Sequence, residues 1–532
     1  MKNKFLPTLL LSAVLGISFF ARTSAAADTV VPKAVQSLAV QHNGRVMSFD
    51  CFSRQILSAI AQKSSWKRQP TWSVILRAAA DPKTAADLPW IRVGGSELIG
   101  ALGLPSRKDQ FYSYNEILPL MDKLGSLISR SQHNGGALKG LKALGQKADA
   151  LDSAVYQVRE LLSGRSLRVI PPVSGQEWSA PAAGAGPDSD EFIKLMEAYK
   201  AARQAEFASA LARWTERVDR QTGFRYRQQI HLEILYYAMK PFEMALILYL
   251  VAFVWISFFG RRRGRYMPGI FCLGTALIFH TAGLLLRMFI LSRPPVANMY
   301  ESIIFANWVI MIAAIIFATA RRSAAILSVG ALISALIMVY GNLLPIDASL
   351  DVLAPVLRSN YWLAMHVLTI VASYGIFALA MGLGHRQLTL TVRGRWKASE
   401  EAKSAQVIYR SLQAGLLLSG IGIVLGGVWA NETWGRFWGW DPKETWALIT
   451  FLGYLVIIHL YHQKRLSAFA LGAASILSFQ LVLMTWYGVN FVLGTGLHSY
   501  GQGSGGAGWV VLYLALEALF LLWAVSARRQ KV

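Results

Sequence analysis

Cysteine is nearly absent from this chain: Cys51 and Cys272 are the only two in 532 residues. They lie far apart, Cys272 within an apolar run, which argues against a disulfide framework. No Cys-x-x-Cys-His occurs, so the chain is not itself a c-type cytochrome. Charge is scarce as well, at 16% of residues against 54% hydrophobic ones, a balance that excludes an ordinary soluble protein throughout. Acidic residues are the scarcer sign, with 30 Asp+Glu against 53 Lys+Arg and a formal net charge of +23. A basic excess of that size raises nucleic acid as a partner, but its distribution excludes that reading. Residues 241–532 hold 22 Lys+Arg against 10 Asp+Glu, and most of those basic residues fall in short clusters between long apolar runs. The Gly-rich run Gly501–Gly508 lacks the Gly-Lys-Ser/Thr ending of a phosphate loop, which leaves it the reading of a flexible lid.

What the sequence has in quantity is apolar runs of membrane-crossing length. Nine of them stand at about 241–259, 267–291, 302–320, 324–344, 362–384, 411–429, 445–462, 467–488 and 509–526. The clusters Arg261-Arg262-Arg263, Arg321-Arg322, Arg386 to Lys403, Lys464-Arg465 and Arg528 to Lys531 occupy alternate connections. The positive-inside rule puts all five in the cytoplasm and the amino-terminal region outside. Residues 1–27 agree: Lys2 and Lys4 precede an apolar stretch and then Ser24-Ala25-Ala26-Ala27, the pattern of an export signal or an uncleaved anchor. The expected fold is mostly α, a polytopic helical membrane protein of about nine transmembrane helices behind a mixed external soluble domain. Its divisions are 1–27, a soluble domain over 28–170, a linker and charged helix over 171–240, and a membrane domain over 241–532.

The connection predicted to be external between the sixth and seventh runs carries five of the chain's 17 tryptophans within 18 residues: Trp429, Trp434, Trp438, Trp440 and Trp446. An interfacial aromatic belt does not need this density, nor Gly435, Gly439 and the Asp441-Pro442 turn. Indole faces offer a rigid apolar platform for a flat conjugated ligand, with a ring N–H for a polar edge.

Trp434-Gly-x-x-Trp438-x-Trp440-Asp441-Pro442-Lys443-Glu444-x-Trp446 resembles the tryptophan-rich WWD signature of the haem-handling proteins CcmC, CcmF and CcsA (ResC). The resemblance covers roughly residues 241–532, and the nine runs are most similar to the CcsA-type subunit of the System II cytochrome c synthase. Asn298, Tyr300, Glu301 and Ser302 resemble a recurring segment of the same family, and Gly44-Arg45-Val46 with Phe49-Asp50 resembles external extensions found on some of its members.

Topology sorts the histidines. His366, at the external start of the fifth run, and His498, in the external loop after the eighth, bracket the tryptophan loop and make a pair of imidazole ligands for one iron. The resemblance implies the same, since CcsA-type proteins use a histidine on each side of this segment as axial ligands. His459 and His280 lie inside runs, where ionisable groups default to function. By resemblance His459 belongs to a second haem site on the entry path, and His280 is either a further ligand or a structural histidine bonded to a neighbouring helix. His385 and His462 fall at cytoplasmic ends, with solvated or headgroup-facing roles. Haem propionates want cationic partners, for which Arg287 and Arg436 are available. Asp441 caps a helix or serves as a base, and Glu243 and Glu517 have no evident role.

These readings imply haem b as substrate and transient ligand, held at the outer face of a bacterial inner membrane for covalent attachment to Cys-x-x-Cys-His apocytochromes. A CcsB/ResB-like membrane subunit and thiol-reducing proteins are the implied partners, and nucleic acid is not one. The alternatives are a haem-delivery subunit that performs no attachment, a bis-histidine membrane electron carrier, and a solute transporter with an aromatic gate.

Overall fold

The structure, a computed structural model, describes residues 33–530 except 64, 68, 135–138, 174, 176, 260–265, 344–347, 351–358 and 494–505. The chain divides into two compact units, Met1–Gln41 with Ser48–Arg225, and His42–Met47 with Tyr226–Val532.

Strands β1 (Ala39–His42) and β2 (Arg45–Ser48) pair through Asn43-Gly44, both at positive φ as a tight hairpin turn requires, and the turn falls in the piece His42–Met47 that groups with the second unit. Helix α1 (Phe49–Ala61) starts where the Ser48 side chain accepts the Cys51 N–H, and it buries Phe49, Phe52, Ile56 and Ile60, spaced to line one face. There follow α2 (Thr71–Ala80), a second hairpin of β3 (Ile91–Arg92) and β4 (Phe111–Tyr112), then α3 (Met121–Asn134) and α4 (Lys139–Leu162).

The stretch expected to be a linker is packed into the first unit. Trp178 is buried, its backbone N–H donates to the Gln41 side chain at 2.7 Å, and Ile170 bridges Ser179. A Pro/Gly/Ala-rich composition forbids regular structure, but it does not forbid packing. The charged stretch after it is two helices, α5 (Pro187–Lys200) and α6 (Gln204–Gln221), broken where Ala202 takes a positive φ and closed by Phe192 against Trp214, 5.2 Å between ring centres.

The second unit holds nine helices long and apolar enough to cross a membrane among the described residues. They are α7 (Arg227–Phe259), α8 (Met267–Leu291), α9 (Met299–Arg321), α10 (Ala324–Asn342), α11 (Asn360–Val392), α12 (Ala398–Trp434), α13 (Pro442–His462), α14 (Ala468–Leu493) and α15 (Ala507–Arg529). The chain is a polytopic membrane protein, with each helix on one of the nine apolar runs. Helices α11 and α12 outrun their apolar stretch through charged residues on either side of Gly394, whereas α7 carries a lead-in helix, Arg227–Met239, that breaks at Lys240 (φ +44°) before Pro241 opens the apolar part. In α11 and α12 helical hydrogen bonding continues into polar sequence, whereas hydropathy marks only the apolar part.

Helix α11 is central, with 72% of its apolar window buried against 6% for α15. Backbones meet where side chains vanish: a Cβ on Gly375 would sit 2.5 Å from the Ala306 carbonyl oxygen, and one on Gly384 would sit 2.7 Å from that of Gly472. Small residues thus set the approach of α11 to α9 and α14. The peripheral α15 is held to α11 by His385 Nε2 and Glu517 Oε2 at 2.9 Å. His385 therefore faces a helix rather than solvent, and Glu517 has a partner.

Candidate functional site

Helix α12 runs to Trp434 and stops where Gly435, at φ +69°, donates its N–H back to the Asn431 carbonyl. Trp429 and Trp434 are thus helical, and the irregular loop is only Gly435–Asp441. Helix α13 begins at Pro442, with the Asp441 side chain accepting the Lys443 N–H at 3.0 Å and Glu444 accepting the Asp441 N–H at 3.2 Å. Asp441 is therefore a cap. Trp446 lies one turn further on. Within the loop Trp438 and Trp440 stand edge to face, 5.9 Å between centres, and Trp440 is 69% exposed. The Trp438 indole N–H is buried with no acceptor. The Arg436 guanidinium lies 5.7 Å over the Trp434 ring and donates to Glu444 at 3.1 Å.

His366 comes to the same place. It sits in a π-helical turn, Leu363–Val367, at the start of α11, and its Nδ1–H donates to the Gly422 carbonyl of α12 at 2.8 Å. A carbonyl can only accept, so the ring proton is on Nδ1 and the lone pair on Nε2, the tautomer that iron-ligating histidines commonly present. The imidazole lies 5.7 Å from the Trp429 ring. It fits because Gly426 has no side chain: a Cβ there would be 2.7 Å from its Cε1. Next to it, Gly427 leaves room for the Phe437 ring, which would lie 2.5 Å from a Cβ. A second tie crosses the same gap, where the Trp362 indole N–H donates to Glu432 at 2.5 Å. Gly426, Gly427 and Glu432 were not singled out in the sequence, and Glu444 was named there only as part of the motif. The adjacent glycines in an apolar run one turn before the tryptophans are the signal that could have found them.

The other histidines divide by tautomer. His459 repeats the His366 pattern, Nδ1–H to the Leu455 carbonyl at 2.9 Å, on an exposed face of α13. It lies 18 residues beyond Asp441, roughly 27 Å along the helix at 1.5 Å per residue. An open groove of about 640 Å³ between α12 and α13 is lined by Leu417, Gly420, Ile421, Val424, Phe451 and Ile458, the residue before His459. His280 is the opposite case: fully buried, it receives the Tyr249 hydroxyl on Nδ1 and donates Nε2–H to the Ile304 carbonyl, both at 3.1 Å. Neither nitrogen is left for iron, which corrects the ligand expectation in favour of the structural one. His498 lies outside the described residues.

Arg287 is likewise corrected. It is 1% exposed, and its five N–H groups go to Glu301 (3.2 and 2.9 Å), the Tyr236 hydroxyl (3.1 Å) and the carbonyls of Ala348 (3.1 Å) and Ser349 (2.8 Å). Glu301 also takes Arg293 at 2.6 Å. No donor remains for a propionate. Arg436 keeps that possibility, with its side chain 30% exposed.

Nine spans, an indole-lined loop and an oriented imidazole define the class as a membrane protein of cytochrome c assembly, and comparison agrees. Residues 296–498 match the Cytochrome C assembly protein family. The cytochrome c biogenesis protein CcsA of Prochlorococcus marinus strain NATL1A is 34% identical over 266 residues, 43% of this chain and 84% of that protein. CcsA of strain NATL2A is 33% identical over 266 residues, with the same shares. Protein NrfI of Wolinella succinogenes is 29% identical over 492 residues, 86% of this chain, which spans 53% of that protein's length. The chain belongs to the CcsA family of cytochrome c biogenesis proteins.

Proposed function

We propose that this chain holds haem b against the tryptophan loop on the outer face of a bacterial inner membrane and presents it for covalent attachment to apocytochromes c. The observation that carries the reading is the His366 imidazole, fixed by Gly422 and Gly426 against Trp429 at the foot of the loop. The donor set suits haem as substrate. Indole faces take the macrocycle, His366 Nε2 takes iron, and the unsatisfied Trp438 N–H and Arg436 take acid groups at its edge. His498 is the proposed second axial ligand. Haem arrives by the groove between α12 and α13 beside His459 and is held ferrous by reductant supplied through thiol-reducing partners, with a CcsB/ResB-like subunit completing the machinery.

The apocytochrome histidine of Cys-x-x-Cys-His displaces one axial imidazole. Each cysteine S–H then adds across a vinyl group, forming a C–S bond and a C–H bond as the C=C π bond is lost, with no net electron transfer. The protein contributes proximity and orientation. Absorption spectra of the purified protein beside His366→Ala and His498→Ala test it: each variant should lose six-coordinate low-spin character. Unchanged ligation in both defeats the proposal. Co-expression with a Cys-x-x-Cys-His reporter and no other assembly factor separates attachment from delivery alone, since only attachment leaves haem on the reporter after denaturation.

A further inference from the structure

The structure assigns Glu444 as the positioning residue of the tryptophan loop, the side chain that fixes how Arg436 and the Trp438–Trp440 pair are presented to haem. The assignment rests on the haem-platform reading above for its consequence, but not for its geometry. The carboxylate is 9% exposed. Its Oε1 accepts from Arg436 Nη1 at 3.1 Å, and its Oε2 accepts the backbone N–H groups of Gly439 at 2.8 Å and Asp441 at 3.2 Å. The Asp441 bond is the return half of a helix cap, which any glutamate three residues in can supply. The other two reach five and eight residues back and serve no cap.

Between the two amides that Glu444 holds stands Trp440, at φ +56°, left-handed backbone that a residue with a bulky side chain rarely adopts. Gly439 is interlocked with the same feature. A Cβ there would fall 1.9 Å from Arg436 Nη1, so the guanidinium occupies the volume a side chain would need. One carboxylate thus gathers a cation, a strained indole-bearing residue and the glycine that separates them. It also keeps the guanidinium over Trp434. Both Glu444 oxygens are engaged by the loop itself.

Two substitutions separate its two tasks. Glu444→Gln keeps an oxygen for the Gly439 and Asp441 amides but gives up the charge that holds Arg436. Glu444→Ala gives up both. In the full-length protein purified with haem, Arg436→Gln and Glu444→Gln should each speed haem transfer to apomyoglobin by about the same factor, on the order of tenfold, and the double variant should be no faster than either. Glu444→Ala should be faster still and, after oxidation of the haem to the ferric state, should show an altered low-spin signal in electron paramagnetic resonance at unchanged helix content. Additive rates in the double variant, or a wild-type signal and transfer rate in Glu444→Ala, overturn the assignment.

Hydrogen exchange at Gly439 and Asp441 in the haem-free protein gives a separate arm. Protection present in the wild type and in Glu444→Gln, but lost in Glu444→Ala, supports the assignment even if the wild type holds no haem, in which case the platform reading alone has failed. Equal protection in all three overturns it.

Discussion

At the scale of single residues, the position of one proton separates histidines that composition treats alike. His366 and His459 give their Nδ1–H to a carbonyl, whereas His280 gives its Nε2–H to the Ile304 carbonyl and receives the Tyr249 hydroxyl on Nδ1. Gly426→Ala should therefore behave as an indirect histidine mutation. Its new Cβ, 2.7 Å from Cε1, would push the imidazole off the Gly422 carbonyl, and haem affinity should fall by roughly 10–100-fold, the range for lost orienting contacts. Haem titration of the purified protein measures it, and an unchanged affinity would remove Gly426 from the site. His280→Phe should do the reverse, lowering thermal stability by about 1–3 kcal/mol through the unpaired Tyr249 hydroxyl and Ile304 carbonyl while leaving the haem spectrum as it was. The nearness of His366 to the tryptophans, seen in its ring contact with Trp429, was legible in the sequence because both fall at the predicted external ends of their apolar runs. The roles of His280 and Arg287 were not, because their partners sit on other segments: Glu301 is 14 residues away from Arg287 and the Ser349 carbonyl is 62.

At the scale of elements, three consecutive carbonyls ahead of α11 are gripped by the buried Arg287 and the half-buried Arg45. Ala348 and Ser349 are held by Arg287, and Leu350 by Arg45 at 3.0 Å; Glu301 balances the first cation and Glu233 pairs with the second. Arg45 belongs to the short piece His42–Met47 that groups with the membrane unit. Breaking a buried pair by removing one partner costs about 3–5 kcal/mol, so Glu233→Ala should lower the stability of this unit by that order. The exchanged pair Arg45→Glu with Glu233→Arg should recover part of the loss, and denaturation followed by circular dichroism in detergent reads both. No recovery would mean that Leu350, not Glu233, is the contact that matters. Hydropathy found the nine spans because membrane length is written in apolar runs. It missed the lead-in helix Arg227–Met239, where Gln228, Gln229, His231 and Glu233 interrupt the apolar pattern, but the apolar start at 241 coincides with the break at Lys240.

At the scale of the whole molecule, the two units carry different sensitivities. In the first, burial raises the Glu116 carboxyl, but hydrogen bonds from Arg107 and Ser113 outweigh it and leave the group below its ordinary value. A lowered folded value means stability that is present above the unfolded value of about 4.5 and is lost as pH falls through the folded one. Arg107 also donates to the Phe111 carbonyl, and Val93 N–H bonds the Gln110 carbonyl beside it, so the β3–β4 ribbon should report the loss. Protection factors of its amides should drop on acidification below that value in the full chain and change less in Glu116→Gln. An equal acid response in both would clear Glu116 of the effect. Composition announced two parts of unlike chemistry, yet it placed their boundary too early, since a segment poor in regular structure can still be buried, as Trp178 is.

The π turn that carries His366 is in effect one residue too many for an α-helix. Each residue advances an α-helix by about 100°, so removing one from 363–365 would restore regular winding by turning the imidazole a quarter-circle or more away from Gly422 and Trp429. Helix α14 ends in a longer stretch of the same winding, Met484–Leu493, on the way to His498. The approach to the proposed iron at His366 is therefore underwound relative to the span beneath it, and a deletion there would misaim the ligand without shortening the membrane crossing by more than a single rise.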